Sequence, residues 1–289
     1  MAKRNSMMAA AAAALGAAAA WGAMAVASCG GGHRHSLGPE PKPPPTLGGK
    51  PVCRPRPQRL VDLTHPVRPG VPIVPGGTPF SMTADDGAEG YRAHVFTMGN
   101  DTGTHLDAPA HFVEGRPGAA QLPLETLVVP LVVIPVQKKV EANPDYAVRA
   151  TDLVDWEAIW GPIPLESLVV FNTGWHARFN DPEGYLNRDA EGRMHFPGLS
   201  REAAELLVAR EVVGVGIDTL SVDSGASEDF AAHRALLAAG FYQLENLTNL
   251  GSLPETGARV VVGVLPVVEG TQAPARVLAL VDEPLPGEE

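Results

Sequence analysis

The sequence has little cysteine, few aromatic side chains and few charges. With only two cysteines among 289 residues, a disulfide framework cannot be the basis of the fold. The 22 lysines and arginines are outnumbered by 33 aspartates and glutamates, and this net charge of −11 argues against nucleic acid or an anionic lipid surface as a partner. Because 45% of the residues are hydrophobic and only 19% are charged, the chain can bury a sizeable core, which excludes disordered and fibrous classes.

The signatures of several common enzyme classes are also missing. Without a Gly-x-Ser-x-Gly elbow, a serine hydrolase of the α/β-hydrolase type is disfavoured. The sequence has neither a His-Glu-x-x-His helix nor a Walker loop. Gly214-Val-Gly216 begins like a dinucleotide-binding loop, but Thr219 stands where the third glycine belongs. We therefore interpret the two glycines as a site of tight strand packing.

The N-terminal segment has the layout of a secretory signal. A short basic start precedes an uncharged, alanine-rich stretch over residues 7–27, and the segment ends in Val-Ala-Ser-Cys29, which resembles a bacterial lipobox. We predict a signal peptide of the lipoprotein type over residues 1–29. The mature protein would be exported, periplasmic or on the cell surface, and held at the membrane by lipid on Cys29 alone. An ordinary secretory signal is the first alternative, and an uncleaved anchor is the second.

The rest of the chain divides into a tether and one domain. Glycine and proline dominate residues 30–58, which predicts an extended tether that also contains Cys53. From 59 to 285, apolar runs rich in β-branched residues alternate with helical patterns, which predicts a single mixed α/β domain. Strands are predicted over residues 60–63, 94–98, 127–136, 168–172, 212–217, 259–264 and 276–281. Helices are predicted over 151–159, 200–210 with Ser200 as N-cap, and 227–239.

Residues 101–112 concentrate side chains that bind metals: Asp101, His105, Asp107 and His111. Imidazole nitrogens together with carboxylate oxygens suit a divalent ion such as zinc or manganese. The spacing fits neither one helix nor one straight strand, so we predict a loop that wraps around an ion. A polar loop with satisfied histidines is the alternative, which the density of the cluster disfavours in a chain with nine histidines. Positions 176 and 195 are histidines in polar loop sequence and receive no role, while the histidines at 65 and 94 stay open.

This segment resembles the signature of the bacterial cyclase family, the metal-dependent hydrolases of the kynurenine formamidase and isatin hydrolase type. The family pattern His-x-Gly-Thr-His-x-Asp-x-Pro-x-His is matched at every specified position except the first, where Asp101 replaces histidine. The resemblance continues at residues 61–66, 172–175, 233–247 and 266–279, and thus covers most of 59–285. It implies an α/β domain of the swivelling β/β/α type.

The resemblance also implies a set of metal ligands. Asp101, His105 and Asp107 would bind one ion, and Asp107 would also reach a second. His233 would bind that second ion, and Glu245 would bridge the two. Zinc is the expected metal and manganese the alternative, with one or two ions per chain. Because Asp101 adds a negative charge where the family has an imidazole, it favours harder metals.

The implied activity is the hydrolysis of small amide, lactam or ester carbonyl substrates, with arylformamidase as the leading type. His111 would donate and accept protons, and Val74 would contact the substrate where formamidases carry a stacking aromatic side chain. A lactam hydrolase or cyclase is one alternative, and a non-catalytic surface lipoprotein that captures a metal or small ligand is another. Retention of His111 favours the enzyme. The family further implies a homodimer or a higher homo-oligomer.

Overall fold

The chain forms twelve strands and five α-helices within residues 58–85 and 91–283, which are the residues that this computed structural model describes. The strands are β1 (Gln58–Asp62), β2 (Ser81–Asp85), β3 (Ala93–Thr97), β4 (His105–Asp107), β5 (Val128–Pro135), β6 (Ala147–Val148), β7 (Leu168–Asn172), β8 (Gly198–Leu199), β9 (Gly214–Ile217), β10 (Tyr242–Glu245), β11 (Ala258–Val264) and β12 (Gln272–Asp282). The helices are α1 (Gln137–Ala142), α2 (Ala150–Trp160), α3 (Pro182–Leu186), α4 (Arg201–Ala209) and α5 (Ala231–Ala238).

The main sheet closes on itself. Its eight strands follow the order β1-β12-β11-β5-β7-β9-β10-β4, and β4 pairs with β12 as well. Strands β5, β7, β9 and β10 are parallel to one another, whereas all other pairings in this sheet are antiparallel. The short strand β4 completes a barrel-like sheet between β10 and β12. Its register sets His105 opposite Glu245 and Asp107 opposite Gln243.

Two apolar layers lie on the two faces of this sheet. In β5, Leu131 and Val133 belong to the cluster inside the barrel, whereas Val132 and Ile134 belong to the cluster that includes buried residues of α2, α4 and α5. The alternation follows from the period of two in an extended strand. Because both faces are covered, the central strands read as continuous apolar runs in the sequence.

Two glycines in β9 make room inside the barrel. A Cβ on Gly214 would lie 2.7 Å from the ring of Tyr242, and one on Gly216 would lie 2.7 Å from Leu247 and 2.8 Å from Val170. These distances are too short for real Cβ contacts. The interpretation of Gly214-Val-Gly216 as tight strand packing is therefore confirmed.

We expect Gly216→Ala to lower the free energy of unfolding by about 1–3 kcal/mol, because the added methyl group overpacks the barrel. Gly251→Ala is the matched control, since the nearest atom to its new Cβ would be 3.6 Å away. The control should stay within about 0.5 kcal/mol of the parent protein in denaturant titrations. Equal stability of both variants would contradict the packing account.

The predicted mixed α/β fold is confirmed. Each predicted strand overlaps an observed one, and the hydroxyl of Ser200 caps α4 by accepting a hydrogen bond from the Ala203 N–H at 3.2 Å. The third predicted helix is shorter than expected, because α5 begins only at Ala231. Five of the twelve strands were not predicted: β2, β4, β6, β8 and β10.

Apart from Gln58, the first residue of β1, the N-terminal predictions concern residues outside the described ones. The signal peptide over 1–29, the lipid on Cys29 and the tether over 30–58 therefore stay predictions, as do the domain limits of 59 and 285. Within residues 58–85 and 91–283, no helix is long and apolar enough to cross a membrane.

Candidate metal centre

The candidate centre lies where β4 meets β10. His105 and Asp107 are two residues apart on β4 and so share one face, while Leu106 between them packs inside the barrel. Glu245 ends β10 directly opposite His105, and His233 comes from α5. All four side chains are buried, with no more than 4% of each residue exposed.

Two carboxylates lie between two imidazoles. The Nε2 atom of His105 is 3.2 Å from Asp107 Oδ1 and 3.3 Å from Glu245 Oε2. The Nε2 atom of His233 is 3.4 Å from Asp107 Oδ2 and 3.3 Å from Glu245 Oε1. Each carboxylate thus turns one oxygen to each histidine. This is the arrangement in which a carboxylate can bridge two adjacent ion positions.

The residues of this centre fit a divalent ion. In the described part of the chain, two groups have ligand atoms within 4.8 Å of one another, namely His105 with Asp107 and Glu245, and Asp107 with His111 and His233. His105 Nε2 and Asp107 Oδ2 are buried without a hydrogen-bond partner, which is costly for polar atoms. A cation would satisfy both atoms, and mixed imidazole and carboxylate ligands are those that zinc and manganese accept.

The two imidazoles are oriented by hydrogen bonds at their other nitrogen. His105 Nδ1 lies 2.9 Å from the carbonyl oxygen of Gly103, and His233 Nδ1 lies 2.6 Å from Asp223 Oδ2. Asp223 also accepts hydrogen bonds from the backbone N–H groups of Ala232 and His233 at 2.8 and 3.0 Å, so it fixes the start of α5 as well. Such partners turn each Nε2 toward the centre.

Replacing Asp223 by asparagine should weaken the binding of a divalent ion about 10- to 100-fold, because the charged partner that fixes the His233 ring becomes a neutral amide with one acceptor oxygen. Competition with a chromophoric chelator measures this affinity. Asp229→Asn is the matched control, since Asp229 is exposed and lies only six residues further along the chain. Unchanged affinity in the Asp223 variant would rule out the orienting role.

The carboxylates of Asp107 and Glu245 also accept hydrogen bonds that orient them. The amide of Gln272 donates to Asp107 Oδ1 at 3.0 Å, and the backbone N–H of Val222 donates to Glu245 Oε1 at 2.8 Å. Neither Asp223 nor Gln272 was found from the sequence. Their contacts to the centre depend on chain closure across the barrel, and nothing in the local sequence around them indicates it.

The two buried carboxylates of the centre favour positive charge beside them, either as protons on the imidazoles or as a metal cation. Burial lowers the pKa values of His105 and His233, but the neighbouring carboxylates outweigh burial and raise both well above the ordinary value. These carboxylates are Asp107 and Glu245 for both rings, and also Asp223 for His233. Burial raises the pKa of Asp107, and the two imidazoles more than reverse this, so its pKa is strongly lowered. A divalent ion can replace these protons, so its binding should release them.

His111 lies at the edge of the centre. It ends the short 3₁₀ turn Pro109–His111, its side chain is 27% exposed, and its Nε2 is 3.8 Å from Asp107 Oδ2. Burial lowers its pKa, which keeps the ring neutral near neutral pH. The segment that we predicted as one loop around an ion is therefore in part a strand and in part a 3₁₀ turn, held by the pairing of β4 with β10 and β12.

Asp101 and Val74 lie around the same cavity but not in the centre. Both line a cavity of about 530 Å³ into which His105, Asp107 and Glu245 also open. Asp101 is outside the two groups of clustered ligand atoms in the described residues. Its role as a ligand and the substrate contact of Val74 stay predictions.

The apolar part of this cavity is formed by side chains that sequence reasoning missed: Phe112, Met194, Phe196, Leu220 and Phe230. The ring of Phe112 lies 4.9 Å from that of His233 and 5.7 Å from that of Phe230. Phe230 has a φ of +51°, a backbone conformation that is rare for an aromatic residue and is often found at functional sites. The aromatic surface that Val74 lacks is thus supplied from other parts of the chain.

Comparison with known proteins identifies the family. The model of the Cyclase family, described as "Putative cyclase", matches residues 61–224. The chain belongs to the cyclase family. An isatin hydrolase from Roseibium aggregatum is 31% identical over 241 residues, which are 77% of this chain and 91% of the relative. A kynurenine formamidase from Erythrobacter litoralis is 27% identical over 217 residues, covering 74% of this chain and 89% of the relative.

Solved structures of the cyclase family share the fold. Isatin hydrolase A from Labrenzia aggregata, bound to benzyl benzoate, has a TM-score of 0.74 at 34% identity and covers 78% of this chain and 94% of its own. A protein described as a "Potential Metal-Dependent Hydrolase With Cyclase Activity" has a TM-score of 0.60 at 26% identity and covers 78% and 100%. The predicted class, a metal-dependent hydrolase acting on C–N bonds other than peptide bonds, is confirmed by these relatives.

Proposed function

We propose that this protein hydrolyses small aryl amides, with aryl formamides as the leading substrates and isatin-like lactams as the second candidate. The observation that carries the proposal is the pair of carboxylates, Asp107 and Glu245, each facing both His105 and His233 beside a cavity walled by phenylalanines. A cavity of about 530 Å³ is of the size that small ligands occupy. The named activities of the isatin hydrolase and kynurenine formamidase relatives support both substrate classes.

His105, Asp107, His233 and Glu245 would hold the metal, for which we propose zinc first and manganese second. When bound, such an ion acts as a Lewis acid that lowers the pKa of water and polarises a carbonyl group. His111 is neutral because burial lowers its pKa, so its Nε2 can accept a proton from the attacking water. As the C–N bond breaks, His111 returns this proton to the leaving nitrogen.

The aromatic wall orients the substrate. Phe112 and Phe230 present rings 5.7 Å apart beside His233, and an aryl group can pack against them by stacking or edge contacts. Their apolar surfaces also keep bulk water away from the reacting carbonyl. The aryl part of the substrate therefore supplies binding energy, and the carbonyl lies next to the metal-binding residues.

We further propose a homodimer or higher homo-oligomer. In the described part of the chain, β2 and β3 form a separate two-stranded sheet. Met82, Val95 and Phe96 of this hairpin are 54%, 60% and 59% exposed. An isolated hairpin is marginally stable in water, and a cluster of exposed apolar side chains favours contact with another protein surface.

Export and lipid attachment at Cys29 are also part of the proposal, supported by the sequence of residues 1–29 alone. Mass spectrometry of protein from bacterial membranes tests this point. A diacylglyceryl group on an N-terminal Cys29 is expected, whereas a free N-terminus further along the chain would indicate an ordinary secretory signal.

The substrate class is tested by offering N-formylaniline and isatin to the purified protein before and after chelation. We expect chelator-sensitive release of formate from the first and ring opening of the second, with the faster reaction identifying the class. Binding of both compounds without turnover would instead support the alternative function, a non-catalytic protein that captures small ligands. Retention of a neutral His111 beside the metal-binding residues supports the enzyme over that alternative.

A further inference from the structure

A hairpin loop over residues 187–196, here called the cavity loop, supplies part of the cavity wall. Met194 and Phe196 of this loop line the cavity, and Phe196 is 1% exposed. His195 lies between them in the sequence and is not one of the lining residues. Its ring instead contacts Asp145 and Asp189, and neither of these residues lines the cavity. His195 therefore lies outside the cavity while its two neighbours form part of the wall.

His195 is held between two carboxylates. Its Nδ1 lies 2.8 Å from Asp145 Oδ2, and its Nε2 lies 3.3 Å from Asp189 Oδ2. An imidazole can donate from both nitrogens only when it is cationic, because the neutral ring has one N–H and one lone pair. In the neutral form, one carboxylate would therefore face a lone pair instead of a donor.

The two carboxylates belong to different parts of the chain. Asp189 lies at the tip of the cavity loop, where Arg193 also binds its Oδ2 at 2.8 Å. Asp145 lies just before β6, the strand that pairs with β8 directly after the cavity loop. Within the loop, the backbone N–H of His195 donates to the Asn187 carbonyl at 3.2 Å, and the Asn187 amide donates to the His195 carbonyl at 2.7 Å. The contact between His195 and Asp145 thus connects the cavity loop to the two-stranded sheet of β6 and β8.

We propose that His195 is a positioning residue: cationic His195, bridging Asp145 and Asp189, holds Met194 and Phe196 in the cavity wall and so controls affinity for the aryl part of the substrate. We call these three residues the His195 clamp. The effect on affinity for an aryl substrate rests on the proposed function. The effect on the position of the cavity loop is independent of that function.

The clamp depends on pH in a defined direction. The Asp145 carboxylate, and next that of Asp189, raise the pKa of His195 above its ordinary value of 6.5. Arg193 also lies on Asp189, at 2.8 Å from its Oδ2, and Glu191 lies 3.6 Å from Arg193. Because only the cationic ring can donate to both carboxylates, the clamp is closed below the raised pKa of His195. It opens as the pH rises through the pKa of His195 in the folded protein.

The KM for N-formylaniline tests the clamp. In the parent protein we expect KM to rise about fivefold between about pH 6 and about pH 9, while His195→Gln should show the high KM at both values and a kcat within about twofold of the parent. Glu191→Gln removes a charge from the same loop and should behave like the parent. A low KM in His195→Gln at the acidic pH would overturn the proposal.

A second measurement does not depend on turnover. In protein labelled with ¹³C at the methionine methyl groups, the Met194 signal should shift with pH, and Met194→Leu identifies it. His195→Gln should abolish this titration, and Asp145→Asn should move its midpoint to lower pH. A Met194 signal that titrates identically in all three proteins would refute the clamp. If the parent hydrolyses nothing but the Met194 signal behaves as expected, the proposed function fails and the clamp stands.

Discussion

Asp107→Ala is expected to abolish metal binding and to reduce kcat/KM by at least about a thousandfold, because Lewis-acid chemistry contributes several kcal/mol to such reactions. Asp107 is the one residue present in both groups of clustered ligand atoms among the described residues. Its two oxygens face His105 and His233 separately, so its removal takes a ligand from both proposed ion positions at once. Metal content by elemental analysis and turnover of N-formylaniline measure the two effects.

The control for Asp107→Ala is Asp155→Ala on the exposed face of α2. It removes one carboxylate from the same chain and should leave metal content and turnover unchanged.

His105→Ala should lose metal in the same way as the Asp107 variant. If Asp107→Ala retained a full complement of ions, the centre described above would not be the metal site.

His111→Ala should separate catalysis from metal binding. We expect the metal to stay in place and kcat to fall about 10²- to 10⁴-fold, which is the usual contribution of a positioned proton donor and acceptor. The geometric reason is that His111 is partly exposed and lies 3.8 Å from Asp107, whereas the four central side chains are buried and closer together. Steady-state kinetics and elemental analysis of the same preparation test both statements.

The main alternative is that His111 is a metal ligand and not a proton carrier. His111 lies with Asp107 and His233 in the second group of clustered ligand atoms, so it could serve as a ligand instead. In that case His111→Ala would lose one ion of two, and added metal would restore part of the activity. His94→Ala, which removes an exposed histidine from β3, should change neither quantity. Full activity in His111→Ala would eliminate its role as a proton carrier.

The sequence made the main strands and half of the centre predictable. Long apolar runs such as that of β5 indicate buried strands directly, since both faces are covered. The dense segment around His105 and Asp107 stands out because few other stretches combine histidine and carboxylate so closely. His233 and Glu245 could be assigned only through the resemblance to the cyclase family, since each is unremarkable in its own helix or strand.

The remaining features depend on long-range closure. Strand β4 has three residues and exists because β10 and β12 pair with it on both sides. Asp223 and Gln272 reach the centre from distant parts of the chain, and the aromatic side chains of the cavity come from three separate segments. His195 was given no role from its polar surroundings, because its two carboxylates, Asp145 and Asp189, lie 50 and six residues away.

The most direct test is the metal content of the purified protein, followed by hydrolysis of N-formylaniline before and after chelation. We predict about one or two zinc or manganese ions per chain, loss of turnover on chelation and recovery when the metal is returned. Protein that binds no divalent ion even after reconstitution, or that hydrolyses the substrate equally well without it, would contradict the assignment of His105, Asp107, His233 and Glu245 as the metal centre.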